Sequence, residues 1–340
     1  MSVRYPVLSP EFVAALRRVG TKLGQHRDVT NAYLEIPDSL NAIPATLLAR
    51  AEREIVEAAG LYRASGQAPA IVRLFATAAI PTGREQLHRV PELEFLFLFH
   101  RDGHVREAAL RKIAVPIPSA FLFAALASRL NDWVPQVRAA AAECARRTFA
   151  ITSPAVIAEA ATVLLPRNST WGRWAAERDL MDEAFARSDV TQNIADILTR
   201  RTTGPSAAIL RQALRSASMD SHLATLARDS IQPAVRAVAA RALIDGFASW
   251  ASGWRWRWID KSMGVRKAEA VFERRELSVL VDRTSQIEAA LSDRSAVVRN
   301  AAIAGLIRYR DEIPNVRALA EPLLQDRSRR VRERARFLLQ

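Results

Sequence analysis

The side chains with chemistry to offer in this sequence are arginines and tryptophans, because the residue sets that catalysis needs do not assemble. His100 and His104 stand four apart, a spacing that on a helix lets two imidazoles share a zinc ion. Asp102 and Gly103 make this stretch a turn, however, and no Glu follows His100 to serve as a base. Cys144 is the single cysteine, which excludes an intrachain disulfide and a multi-cysteine metal site. Its alanine-rich surroundings read it as a small buried hydrophobe. No Gly-x-Gly-x-x-Gly, Walker A or Gly-x-Ser-x-Gly motif occurs, so neither a phosphate-cradling loop nor a nucleophile elbow is expected. Carboxylates are plentiful, but nothing singles out a facing pair. The expectation is a protein without enzymatic activity, metal or cofactor.

Ring and cation chemistry is concentrated in three places. Trp250–Trp258 reads Trp-Ala-Ser-Gly-Trp-Arg-Trp-Arg-Trp and, lying just before Asp260, is expected to be the first helix of a repeat. At about 100° per residue, Trp250, Trp254 and Trp258 share one helical face and are expected in the core. Trp256 then points away, with Arg255 on one flank and Arg257 close to Trp250. An exposed Trp beside Arg suits a hot spot or a base-stacking pair, which makes Trp256, Arg255 and Arg257 candidate partner-binding residues. Core packing of Trp256 in an irregular turn is the duller alternative. The cluster Trp171-Gly172-Arg173-Trp174 adds Trp171 and Arg173 as candidates, although Trp171 and Trp174, on one helical face, would by default pack inward. The C-terminal run Arg327, Arg329, Arg330, Arg332, Arg334 and Arg336 supplies Arg329, Arg330 and Arg334. Its structural alternative is a solvated capping helix, since terminal repeats need a polar outer face.

The elements that must position these residues come from an internal repeat. Leu-x-Asp-x4-Val-Arg occurs at Leu130–Asp132–Val137–Arg138, Leu291–Asp293–Val298–Arg299 and Leu324–Asp326–Val331–Arg332. A fourth copy, with Trp in the Leu position, runs Trp258–Asp260–Val265–Arg266, and looser ones run Asp102–Val105–Arg106 and Asp229–Pro233–Val235–Arg236. Arg266, Arg299 and Arg332 are spaced 33 and 33 apart, Arg106 to Arg138 is 32 and Arg236 to Arg266 is 30. Small and apolar residues follow each phrase at helical spacing, as in Ala139–Ala145, Ala237–Leu243 and Ala301–Ile307, describing a helix that neighbours can approach closely. The Asp can cap that second helix, and Pro135 and Pro233 sit at its first turn. Strand signals look almost absent. A hairpin of about 30 to 35 residues cannot bury its apolar face alone, so stacking follows. The arginines Arg138, Arg236, Arg266, Arg299 and Arg332, with Asp132, Asp260, Asp293 and Asp326, are expected to form a structural Asp–Arg ladder between adjacent turns. A guanidinium row facing phosphates is the functional alternative.

These phrases resemble the HEAT repeat (armadillo-like) family, well over 95–150 and 220–340 and poorly over 151–219. The resemblance implies an all-α fold, a right-handed α-solenoid of stacked HEAT-like helical hairpins that serves as a binding scaffold. The repeat array is placed at 95–340, with 1–94 as an N-terminal helical cap or degenerate repeats. Helices are expected near Pro10–Lys22, Ile43–Tyr62 and Pro69–Ala78, with Gly24–Ala42 a long loop.

Net charge is +13 over 340 residues. Residues 1–200 carry 24 Lys+Arg against 21 Asp+Glu, and residues 201–340 carry 25 against 15, so +10 of the charge is C-terminal. The expected partner is therefore acidic and held by a basic C-terminal surface. An acidic protein surface stands ahead of nucleic acid because protein binding is the commoner role among proteins resembling this one. The alternative is a DNA-binding protein or a HEAT-like alkylpurine DNA glycosylase, similar in repeat type, charge and tryptophan content. The glycosylases' catalytic residues do not align onto positions here. The first ten residues lack a basic start followed by an apolar run. The longest strongly apolar stretch, Leu93–Phe99, falls far short of the roughly 18 residues of a membrane span. A cytoplasmic protein is expected.

Overall fold

The computed structural model describes residues 6–62, 83–168, 171–173 and 177–340. Among the described residues the chain is mainly α, with 64% helix and one two-stranded antiparallel hairpin. It forms two compact units, Met1–Val163 with Trp171–Ala184, and Leu164–Thr170 with Phe185–Gln340. No helix among the described residues is long and apolar enough to cross a membrane.

In the first unit, helices Pro10–Gly24 and Leu48–Ala58 are followed by Gly83–Arg89, Leu93–Phe97, Gly103–Lys112, Ala120–Arg129 and Pro135–Thr148. The expected helix Pro69–Ala78 lies outside the described residues. The expected loop Gly24–Ala42 instead carries two short helices, Thr30–Tyr33 and Ile36–Asn41. Tyr33, Ile36 and Leu40 are apolar anchors that fold back to bury themselves, and the Tyr33 hydroxyl donates to the Glu92 carbonyl at 2.7 Å. The run Leu93–Phe99 is buried throughout. Cys144 is buried, and loss of water pushes its thiol up to about 11.

Five of the six Val-Arg segments open helices, and their arginines turn back into the structure. Arg106, Arg138, Arg236, Arg299 and Arg332 each donate through Nη1 to the carbonyl six residues earlier. Three also reach forward as a fork onto a later Asp. Arg106 grips Asp132 at 3.0 and 2.9 Å. Arg236 grips Asp293 at 2.7 and 2.9 Å, and Arg299 grips Asp326 at 2.6 and 2.9 Å. The same carboxylates accept from the N–H two residues on, at Val134, Ser295 and Ser328. They therefore close the turn ahead of the helix rather than cap the helix itself. At Ala296–Arg308 the cap is Ser295, whose hydroxyl accepts from Val297.

Trp250–Trp258 is not a helix. It lies in β1 (Phe247–Asp260), paired antiparallel with β2 (Val265–Glu276). Trp254-Arg255-Trp256-Arg257-Trp258 alternates strictly, and Val265–Phe272 supplies a β-prone partner; period two and aromatic content outweigh the coincidental spacing of four. Gly264 makes the turn at φ 68°. Asp260 and Arg266 are accordingly not ladder members. Asp260 accepts from Ser262 and Met263 at the exposed tip, and Arg266 lies opposite Trp258. The expectation of a wholly α fold fails at this ribbon.

The ladder steps over it. Arg236 to Arg299 is 63 residues where Arg299 to Arg332 is 33. The excess of 30 equals the length of the ribbon, Phe247 to Glu276. From the helices on either side of it in the chain, Ile244, Ile287, Leu291, Val298, Ile303, Leu306 and Val331 form one core. A Cβ at Gly305 would stand 2.4 Å from the Ile244 Cγ2, so the helices Pro233–Asp245 and Ala296–Arg308 can approach only because that position has no side chain.

Two predictions follow from the rungs. Arg236 keeps only 2% of its side chain exposed, so Asp293→Ala strands a buried cation and costs about 3 kcal/mol or more in denaturant unfolding. Asp260→Ala, at the same place in the sequence phrase, leaves the midpoint unchanged. The pH dependence has a definite sign. Burial alone would raise the Asp293 carboxyl, but Arg236 and the Ser295 N–H hold it below the ordinary carboxylate value. The Arg299 fork does the same for Asp326. Depressed folded-state values give stability that is present above the unfolded-state pKa, about 3.9, and lost as pH falls through the folded values. A titration of unfolding free energy should therefore fall more steeply below about pH 4 for the natural chain than for D293N/D326N.

Candidate functional site

Within the second unit, the helices that carry the rungs also line a groove of about 700 Å³. Helix Pro233–Asp245 faces it with Ala234, Ala237, Val238, Arg241, Ala242 and Asp245, a single face at helical spacing. Helix Ala296–Arg308 faces it with Val297, Asn300, Ala301, Ala304, Gly305 and Arg308, each 63 residues on. Helix Arg329–Leu339 adds Arg330 and Arg334, which are 33 beyond Val297 and Ala301. Equivalent repeat positions thus form one continuous wall. Its floor is small because the helices pack closely, and its rim is arginine.

The electrostatics are one-sided. Among the described residues, Arg211, Arg241, Arg308, Arg330 and Arg334 line the groove, against one carboxylate, Asp245. Asp245 is held by Arg308 at 2.7 Å and Arg241 at 3.3 Å. Burial and the nearby Arg241 charge hold the Arg211 pKa below its ordinary value. Burial and the Arg330 charge do the same to Arg334. Crowded, partly desolvated guanidiniums are stabilised by an anion placed between them. Planar forks suit carboxylate or phosphate equally.

The remaining wall is the base of the ribbon, through Phe247, Ser249 and Phe272. That base is pinned. Arg275 forks onto the buried carboxylate of Asp220 at 2.8 and 2.7 Å and donates to the carbonyls of Leu214 and Ser216. Ser278 donates to Asp220 through both its N–H and hydroxyl, and Gln212 donates to the Ala251 carbonyl at 3.0 Å. Beyond the base the ribbon is solvent-exposed. A bulge between Ala251 and Gly253 changes the register of faces. Trp250 falls on one face, buried, with its indole N–H donating to Glu273. Trp254, Trp256 and Trp258 fall on the other, paired with Ala270, Ala268 and Arg266. This is the face that carries Phe247, Ser249 and Phe272 at the groove. The three indoles are 69, 59 and 49% exposed, and the Arg266 guanidinium lies 4.5 Å from the Trp256 ring centre.

The candidate residues distribute unevenly. Trp256 is exposed, but not with Arg255 and Arg257, which the register places on the opposite ribbon face; Arg257 meets Glu269 there at 3.2 Å. Trp254 and Trp258, expected in the core, are exposed beside Trp256. Arg330 and Arg334 line the groove, and Arg334 donates to the Asn300 carbonyl. Arg329 is exposed and paired with Glu333. Trp171 and Arg173 belong to the first unit, where the Arg173 N–H donates to the Asn131 side chain. They are not in a helix, and Trp174 lies outside the described residues. Sequence reading missed Arg211, Arg241, Arg308 and the Arg275–Asp220 anchor. Aligning the repeats across the 63-residue step gives the face they share, with Arg241 against Ala304 and Arg308 against Asp245, whereas no local signal marks Arg275.

The first unit has a cleft of about 720 Å³ with a different balance. Arg53, Arg101, Arg106 and Arg129 meet Glu52, Glu57 and Asp132 there, and Arg129 already bridges Glu52 and Asp132. Such internally matched charge has little left for an acidic partner. Among the described residues no cluster of His, Cys, Asp and Glu could hold a metal ion. Comparison with protein-family models and with curated proteins finds no match to this chain.

Proposed function

We propose that the chain is a non-enzymatic HEAT-like scaffold, a right-handed α-solenoid of stacked hairpins, that binds an acidic macromolecular partner. The observation that carries this reading is the groove of the second unit, where, among the described residues, four arginines and one carboxylate on successive repeat helices are joined by Arg211. A cleft of one charge sign with apolar walls concentrates field and draws in an extended anion. The small residues between the arginines leave room for a chain to lie along the wall. Charge alone is what the groove selects, so carboxylate-rich protein and phosphate-rich nucleic acid both meet its chemistry. A cytoplasmic setting belongs to the same reading. The glycosylase alternative has one groove carboxylate to work with, Asp245, and two guanidiniums already engage it.

Reversing the two groove arginines of the last helix tests the proposal. R330E/R334E should bind fluorescent polyglutamate or a phosphate polymer at least about tenfold more weakly, with a shallower dependence on salt. Anisotropy titrations at several ionic strengths measure both. Equal affinity and an equal slope would remove the groove from consideration.

A further inference from the structure

We infer that the exposed ribbon face carrying Trp254, Trp256 and Trp258 is a stacking platform for the bases of a single-stranded nucleic acid whose phosphates lie in the arginine groove. This rests on the groove being the anion-binding surface and adds the class of partner.

Continuity is the first argument. Phe247 and Phe272 line the groove, and the strand register puts the three indoles on the same ribbon face as those two rings. A partner in the groove is therefore led along a wall that changes from arginine to aromatic. The second argument is complementarity. A ligand for both parts must repeat an anion and a flat apolar face in every unit, which a nucleotide does and an acidic peptide does not. Spacing is the third. Alternate strand residues are about 6.7 Å apart, whereas stacked bases along one strand are about 3.4 Å apart. One base on each indole therefore needs bases already spread, which a single strand supplies without breaking pairs.

The side chains around the indoles fit that role. Ala268 and Ala270 stand directly opposite Trp256 and Trp254, so their cross-strand partners are small, and the long side chain that reaches the Trp256 ring from the neighbouring strand is Arg266. Arg266, over Trp256 and 6.0 Å from the Trp258 centre, sets a cation where a phosphate would follow a stacked base. The pinned base keeps the platform in place, so little ordering is needed on binding.

The experiment uses the full chain with labelled oligo(dT) and oligo(rU) of about 20 nucleotides, comparable to the longer single-strand sites. Either sugar type meets the expectation. Saturable quenching of tryptophan emission on adding oligonucleotide is expected of the natural chain, with no variant required. W254L/W256L/W258L, which keeps apolar bulk at exposed positions, should lose the quenching and bind about tenfold more weakly or worse. W254F/W256F/W258F should recover most of the affinity, since a ring is what stacks. Equal oligonucleotide affinity in the leucine variant, with R330E/R334E still defective, would overturn the platform and leave the groove reading intact. Binding of polyglutamate or duplex DNA as tightly as oligo(dT), without quenching, would do the same. A blue-shifted emission on phosphatidylglycerol vesicles with no response to oligonucleotide would also overturn it, in favour of a lipid surface. Undiminished binding of every polyanion by R330E/R334E would instead remove the groove.

Discussion

A buried guanidinium must satisfy five N–H groups and one charge, and most of this architecture answers that demand. Arg236 does so with two backbone carbonyls of its own turn and the carboxylate of a later one. Removing either side leaves a desolvated ion, which is why such pairs specify an arrangement more than they add net stability. Each rung fixes the distance and orientation between one turn and the next. It says nothing about how many residues run between them. Arg106 and Arg299 reach carboxylates 26 and 27 residues on, and Arg236 reaches one 57 residues on, with the same fork. An insertion that leaves both ends of a rung in place is therefore tolerated, and the ribbon is such an insertion.

The same constraint decides what could be read from the sequence. Val-Arg phrases, first-turn prolines and alanine runs mark helices because capping, φ preference and close packing act within a few residues. The rungs at Asp293 and Asp326 were legible for that reason. The phrase Trp258–Asp260–Val265–Arg266 fitted the pattern through an accident of length: a 30-residue ribbon is close to one repeat period, so its tip imitates a turn. Alternation in Trp254–Trp258 was the contrary signal, and repeat spacing overrode it. Asp229 shows the reverse error. It pairs with its neighbour Arg228 at the surface, while the position six before Arg236 is Ser230, whose carbonyl does the work. Arg275 and Asp220, 55 residues apart in the chain, carry no local mark, because long-range ion pairs have none.

Close packing also shapes the groove. Alanine and glycine on the inner faces let helices approach until Ile244 occupies the space a Gly305 side chain would need. Those residues also leave the surface between helices shallow and apolar, with arginine stems rising from it. Long cationic side chains cover such surface with their methylenes and keep the charged end in solvent. The concentration of charge follows from the packing: where the core-proximal positions must be small, the charged side chains rise beside them. Asp245 and Arg308 are such residues, 63 apart at matched positions of two repeats, while Arg241, one turn before Asp245, matches Ala304.

A single residue sets what the ribbon presents. Trp250, Trp254, Trp256 and Trp258 all have even numbers, and an uninterrupted strand would place all four indoles on one face. The extra residue at the bulge, Ser252, moves Trp250 to the face that packs down on the second unit and leaves the other three on the face continuous with the groove. One indole becomes part of the anchorage, buried and hydrogen-bonded to Glu273, and three remain in solvent at a cost in exposed apolar area. An extra residue that divides the tryptophans in this way turns one aromatic run into two functions, a foot that fixes the ribbon and a surface that it carries. Bulges bend and re-aim strands, and here the re-aiming is what connects the aromatic row to the arginines.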